Sequence, residues 1–187
     1  TFQPLINIYN DRTVAPNPAS KIGNYPHQLL QKLNFPLNIQ KMIIKGGKVS
    51  YTEKAKQSKL KGKLFFSNVD AEISNLTNIP ANIQLNHFIK LEATGFLLGT
   101  GKLYTTWQLP LSSGNNLFTV SGTLGNMNAL ALNPLIRPLA MATVQSGTIH
   151  KLDFTLTGND YKASGDVKFL YDGLKIALLK KTPDSLK

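Results

Sequence analysis

One phrase recurs about three times along this chain and limits what the chain can fold into. A glycine opens a strand of alternating apolar residues, a polar turn follows, and a second glycine opens a return strand. The first copy reads Gly47-Lys48-Val49-Ser50-Tyr51, then Gly62-Lys63-Leu64-Phe65-Phe66. The second reads Gly101-Lys102-Leu103-Tyr104-Thr105-Thr106-Trp107, then Ser121-Gly122-Thr123-Leu124. The third reads Ser146-Gly147-Thr148-Ile149-His150, then Gly165-Asp166-Val167-Lys168-Phe169. Self-similarity at a spacing of roughly 50 residues predicts a repeated hairpin architecture rather than a compact enzyme fold.

Within the phrase the hydrophobic period is two. Leu103, Thr105, Trp107, Leu109 and Leu111 fall on one strand face, and Tyr104, Thr106 and Gln108 on the other, the alternation of a half-buried strand. Leu37, Ile39, Ile43 and Ile44 form a strand that ends at a Gly46-Gly47 break, and Val49 and Tyr51 resume the pattern. Leu64, Phe66, Val69, Ala71 and Ile73 continue it after a lysine-laden turn over 54–61. The segment carrying Ile83, Leu85, Phe88, Ile89, Leu91 and Ala93 reads as a further strand ending near Gly95. Ser113-Gly114-Asn115-Asn116, Gly158-Asn159-Asp160 and Asp172-Gly173 read as turns.

Two stretches break the period. Pro26 to Leu33 predicts a short helix near 26–34, because proline suits a first turn, Leu29, Leu30 and Leu33 share a face, and Pro36 stops it. A second helix is expected near 128–141, capped by Asn126 or Asn128 and limited by Pro138. The expected fold is therefore mainly β: a curved antiparallel sheet of repeated hairpins, groove-like, with one or two short helices. The chain is read as one excised domain over 1–187. It has a turn-rich segment and helix over 1–36, hairpins over 37–180, and a linker or tail over 181–187.

Charge bears on partners. The formal net charge is +11, yet only Arg12 and Arg137 are arginines. Surfaces that read phosphates and bases favour the planar arginine fork, whereas lysine is a hydrated point charge that blunts sheet edges. Aromatics such as Tyr51, Phe65, Phe66 and Tyr104 lie on strands near lysines, as in stacking platforms. Interleaved with aliphatic residues they are first of all core residues, so no nucleic-acid partner is expected. Residues 41–63 carry eight lysines against Glu53, and 64–150 hold only Lys90, Lys102 and Arg137. The pattern suggests a basic rim around an apolar middle.

The chemistry-bearing residues form no catalytic set. There is no cysteine, which removes thiolate catalysis, disulfides and cysteine metal sites. His27, His87 and His150 are far apart in sequence, and His150, on an apolar strand phase, is expected to be a satisfied core residue. Asp153, Asp160 and Asp166 lie near turns, where such side chains bond their own backbone. Gly99-Thr100-Gly101-Lys102 has Leu103 where a phosphate loop needs serine or threonine. Ser121 is not flanked by the glycines of a nucleophile elbow. No enzyme activity, cofactor or metal is expected.

The order of residues around the third repeat resembles the C-terminal part of AsmA-like bacterial envelope proteins, including Bacteroidetes-type relatives of unknown function. It runs Leu124-Gly125-Asn126-Met127-Asn128, Leu132-Asn133-Pro134-Leu135, Val144-Gln145-Ser146-Gly147-Thr148-Ile149, Leu152-Asp153-Phe154, Gly158-Asn159, Ala163-Ser164-Gly165-Asp166-Val167 and Tyr171-Asp172-Gly173-Leu174-Lys175-Ile176. In the first repeat, Ile44-Lys45-Gly46-Gly47-Lys48-Val49-Ser50-Tyr51-Thr52-Glu53 and Leu64-Phe65-Phe66-Ser67-Asn68-Val69 are similar to the same group. The resemblance covers about residues 37–180.

It implies a periplasmic domain, tethered to the inner membrane through regions outside this chain, with a long curled sheet and an apolar groove. The implied role is non-enzymatic: binding or guiding phospholipid or another acyl-chain ligand between inner and outer membrane, or outer-membrane homeostasis, with envelope proteins as further partners. The lipid-facing candidates are Leu64, Phe66, Val69, Ala71, Leu103, Trp107, Leu109, Phe154, Leu156, Val167 and Phe169. The alternative is a structural or protein-interaction β module of an envelope assembly without a lipid ligand. The two differ in whether that apolar face is open or sealed by the chain itself.

Overall fold

The computed structural model describes residues 3–15, 22–56, 60–111 and 117–179. The expected turn at Ser113–Asn116 and the expected tail over 181–187 lie outside them. The architecture is one open, curved, nine-stranded sheet with three short helices. In chain order it comprises β1 (Leu5–Asp11), α1 (Pro26–Gln31), β2 (Asn38–Lys54), β3 (Lys61–Thr77), α2 (Pro80–Leu85) and β4 (Phe88–Leu97). There follow β5 (Gly101–Pro110), β6 (Phe118–Leu124), β7 (Met127–Asn128), a 3-10 turn (Ala129–Leu132), α3 (Asn133–Ala140), β8 (Ala142–Gly158) and β9 (Ala163–Leu178).

Sequential strands pair antiparallel from β2 to β6, as short connections require. β6 and β7 lie end to end along one side of β8, and β9 pairs with its other side. The three repeats are the hairpins β2–β3, β5–β6 and β8–β9. One pairing departs from the antiparallel expectation: β1 lies parallel to β2, with Leu5 opposite Lys48 and Asp11 opposite Lys54.

The glycines do less strand-opening than their sequence positions suggest. Gly101 opens β5 and Gly62 is the second residue of β3, but Gly47, Gly122, Gly147 and Gly165 lie within strands. Gly46-Gly47 is a bulge inside a continuous 17-residue β2, not a strand break. Asp172-Gly173 is likewise an irregularity within β9, not a hairpin turn. Bulges of this kind accommodate an extra residue, bend the strand and raise its twist. The segment read as strand from Ile83 begins instead as α2, because Pro80 at the first turn favours helix and β4 starts only at Phe88. The helix expected near 128–141 is the 3-10 turn followed by α3, and Asn128, as expected, caps it by accepting from the Leu130 N–H at 2.9 Å.

Candidate functional site

Directly opposed residues in antiparallel strands share a face, so the register assigns every side chain to one side of the sheet. One row across the sheet reads Ile44, Ala71, Ala93, Thr105, Gly122, Phe154, Val167. The next row on the same face reads Met42, Ile73, Leu91, Trp107, Val120, Leu156, Gly165. The opposite face reads Thr94, Tyr104, Thr123, Asp153, Lys168. One face is apolar across the sheet, and the other is mostly polar, with Ile43, Phe65, Phe96 and Leu170 interspersed. Lys48, Lys63, Lys90, Lys102 and Lys168 all alternate onto the polar face, so positive charge covers the back of the sheet rather than forming a rim alone.

The helices show which face is concave. α3 packs against both β3 and β8, strands separated by β4, β5 and β6. In a flat sheet these would lie about 19 Å apart, while an eight-residue helix is about 12 Å long. α1 makes the same reach at the other end: Gln31 Nε2 donates to the Thr77 carbonyl of β3 at 3.0 Å, and Gln28 Nε2 to Asp160 Oδ1 beyond β8 at 2.8 Å. Both helices stand on the apolar face, so the sheet curls around that face.

Each helix seals one end of the resulting trough. Under α3, Leu124, Met127, Ala129, Val144 and Ile149 form a buried cluster against which Leu97, Leu103, Ile136, Leu152 and Leu174 pack. Asn133 fixes α3 to the start of β8: its Nδ2 donates to the Val144 carbonyl at 2.9 Å and its Oδ1 accepts the Val144 N–H at 2.8 Å. Leu139 lies directly over Gly62, where an added Cβ would come within 2.7 Å of its Cγ. At the far end Leu30, Ile89 and Leu111 form a second cluster with Leu37, Ile73, Leu76, Ile83 and Leu109 around it, so α1 and α2 close that end together.

Between these caps the apolar face is partly open: Trp107 and Leu156 are exposed, while Ala71, Thr105 and Val120 in the same rows are buried. All eleven sequence candidates lie on this face. Val69 is included because the left-handed Asn68 (φ 50) forms a bulge that restores the phase after Phe66. Leu103 packs against the cluster under α3 and Leu109 against the cluster under α1 and α2. Leu64, Phe66, Val69, Ala71 and Phe154 form the half-buried to buried floor. Trp107, Leu156, Val167 and Phe169 retain 38%, 39%, 61% and 37% of their surface. The Phe154 ring lies across Gly122, where a Cβ would approach it to 2.6 Å, so this glycine lets an aromatic ring lie flat on the floor. From Leu103 to Leu109 the trough runs about 20 Å, against about 15 Å for one leaflet of hydrocarbon.

A polar cluster interrupts the same face near α3. Glu53, whose side chain is 4% exposed, receives Arg12 Nε on Oε1 at 2.7 Å. Its Oε2 accepts from Asn10 Nδ2 at 3.2 Å and from the Tyr51 hydroxyl. Burial opposes the charge, but the donors Tyr51, Asn10 and Arg12 outweigh it and hold the carboxyl below its ordinary range. The Tyr51 hydroxyl is pushed up, by burial first and by the carboxylate it faces. This carboxylate, hydrogen-bonded through Oε2 and ion-paired with Arg12 through Oε1, helps fasten β1 to β2, and a cavity of about 220 Å³ lies between this cluster and Pro138, Leu139 and Met141 of the α3 end.

Histidine placement differs from the sequence reading. His150 is exposed, carried outward at the bulge between Ile149 and Lys151; its apolar phase is lost where the strand gains a residue. His27 is the buried one, and its Nε2 has no hydrogen-bond partner. Among the described residues no group of three His, Asp or Glu side chains is placed to hold a metal, and no helix is long and apolar enough to cross a membrane. Sequence reasoning also missed α2 and the Arg12–Glu53 pair. Pro80 signalled the first, and no local pattern signals the second. No protein-family profile, curated protein or solved structure matches this chain.

Proposed function

We propose that this chain is a non-enzymatic domain of an AsmA-like bacterial envelope protein, periplasmic and tethered to the inner membrane in the full-length protein. It binds or guides phospholipid between the inner and outer membranes. One observation carries the reading: the apolar concave face is capped at both ends by the chain's own helices and left partly open between them, with Trp107 and Leu156 reachable from solvent. An acyl tail lying there gains about 0.8 kcal/mol per buried CH₂. The sequence resemblance supports the same assignment.

Trp107 is the chain's single tryptophan, so the trough carries its own reporter. Doxyl-labelled phospholipid is expected to quench Trp107 emission, and native mass spectrometry after mild purification to show co-purifying phospholipid. Leu156→Asp, which places a charge in the same row as Trp107, across Val120, at an already exposed position, is expected to abolish both signals while the thermal midpoint changes little. Absence of quenching together with a lipid-free native mass would overturn the reading. The second reading, a protein-interaction module without lipid, is favoured by a different feature: among the described residues β9 is an edge strand with β8 as its one partner, exposed from Ala163 to Gly173.

A further inference from the structure

Among the described residues β9 is long, paired only with β8, and exposed on both of its faces through its first eleven residues. Natural edges of this length are usually blunted by a bulge, a proline or a covering loop. Here the ladder to β8 is regular in β9 from Ala163 to Asp172, because the extra residue near His150 belongs to β8, and the irregularity of β9 itself comes only after Asp172. The result is a ten-residue template offering unpaired backbone groups.

We propose that β9 is the contact edge for a second copy of this chain, paired antiparallel with itself about a two-fold axis at Val167. The charge order selects this register. Centred on Val167, Asp166 of each copy stands opposite Lys168 of the other, giving two reciprocal ion pairs on the polar face. Carried one residue beyond the strand, the same register sets Lys162 opposite Asp172. On the apolar face Val167 meets its own counterpart, Phe169 lies over Gly165 of the second copy, and Tyr171 meets Ala163. Phe169 and Tyr171 are already in ring contact at 5.0 Å, and an aromatic side chain covering a cross-strand glycine is a favourable pair. Registers centred one residue away place Asp166 opposite Asp166 or Lys168 opposite Lys168. A register centred on Leu170 also pairs Lys168 with Asp172, but draws the irregular Gly173–Leu174 segment into the ladder. A two-fold axis normal to the sheet keeps like faces together, so the two apolar troughs open on the same side. The inference does not depend on lipid binding.

The test is sedimentation velocity and light scattering on the whole chain from about 1 to about 200 μM, the range suited to a small edge interface. Wild type is expected to dimerise reversibly. Asp166→Lys places lysines opposite Lys168, and Lys168→Asp places aspartates opposite Asp166. Each variant alone is expected to weaken self-association at least about thirtyfold. An equimolar mixture of the two restores complementary pairs and is expected to form a heterodimer. Thermal melts of each variant establish that it is folded. Wild type monomeric throughout the range, as it would be if the edge served another protein, overturns the inference. Association unchanged in the single variants, or a mixture that fails to associate, overturns it as well. Quenching of Trp107 by labelled lipid is a separate readout and tests the trough regardless of this outcome.

Discussion

His27 sits in the first turn of α1 with its ring stacked on Tyr25 at 6.1 Å and 4% of its surface exposed. Burial lowers its pKa from the ordinary 6.5, and Asp160 pulls only partly the other way. The folded protein therefore holds this imidazole neutral while the unfolded chain protonates first as pH falls. Stability from this group is present above about 6.5 and is lost as pH drops toward the folded value. The urea midpoint is expected to be lower at pH 5 than at pH 7.5, and His27→Leu to flatten that difference. Glu53, whose pKa is lowered from 4.5, loses its contribution mainly below this window, and the leucine variant separates the part due to His27. An unchanged pH dependence in the leucine variant would show that α1 does not bury a neutral histidine.

At the scale of elements, helices short enough to be unstable in isolation are held by specific docking. α3 has a proline inside it, Pro138, and depends on Asn133 and on Leu139 seated over Gly62. Gly62→Val is expected to displace Leu139 and to destabilise the fold by about 1–3 kcal/mol, the usual range for overpacking. Leu139→Ala in the same chain should recover part of that loss, giving a non-additive double-mutant cycle measured by urea denaturation. Strictly additive effects would place α3 elsewhere. Both helices had visible sequence signals in Pro26 and in the Asn-rich 126–133 segment. Their role as end caps had none, because what a helix covers depends on which strands the curled sheet brings beneath it.

For the whole molecule, the sheet is open and its two outer strands differ from its middle. β3, β4 and β5 are hydrogen-bonded on both sides for most of their length, whereas among the described residues β1 and β9 each have one partner. Amide exchange is expected to be slowest in β3–β5 and fastest in β1 and in the outward-facing amides of β9, with protection of β9 rising as protein concentration rises. Uniform protection across all nine strands would contradict an open sheet. The same openness accounts for the charge pattern. A basic polar face across the back keeps a two-edged sheet soluble, while apolar side chains collect on the side that the helices partly close.

What the amino-acid order determined by itself was phase. Alternation with period two is local, so Leu103, Trp107 and Leu109 had to share a face, and the same held on the other strands wherever no residue was inserted. That is why the eleven candidates, from four separate strands, fall on one side of the sheet, with the Asn68 bulge bringing Leu64 and Phe66 into line with Val69 and Ala71. Tertiary structure alone decided where phase breaks: bulges at Asn68 and near His150 depend on the partner strand's residue count, and one of them turned the expected core histidine outward. It also decided that β1 joins in parallel through Arg12 and Glu53, and that the apolar face curls inward beneath helices at both ends. Curvature and cover arise from contacts between segments remote in the chain, and no pattern confined to a few consecutive residues encodes them.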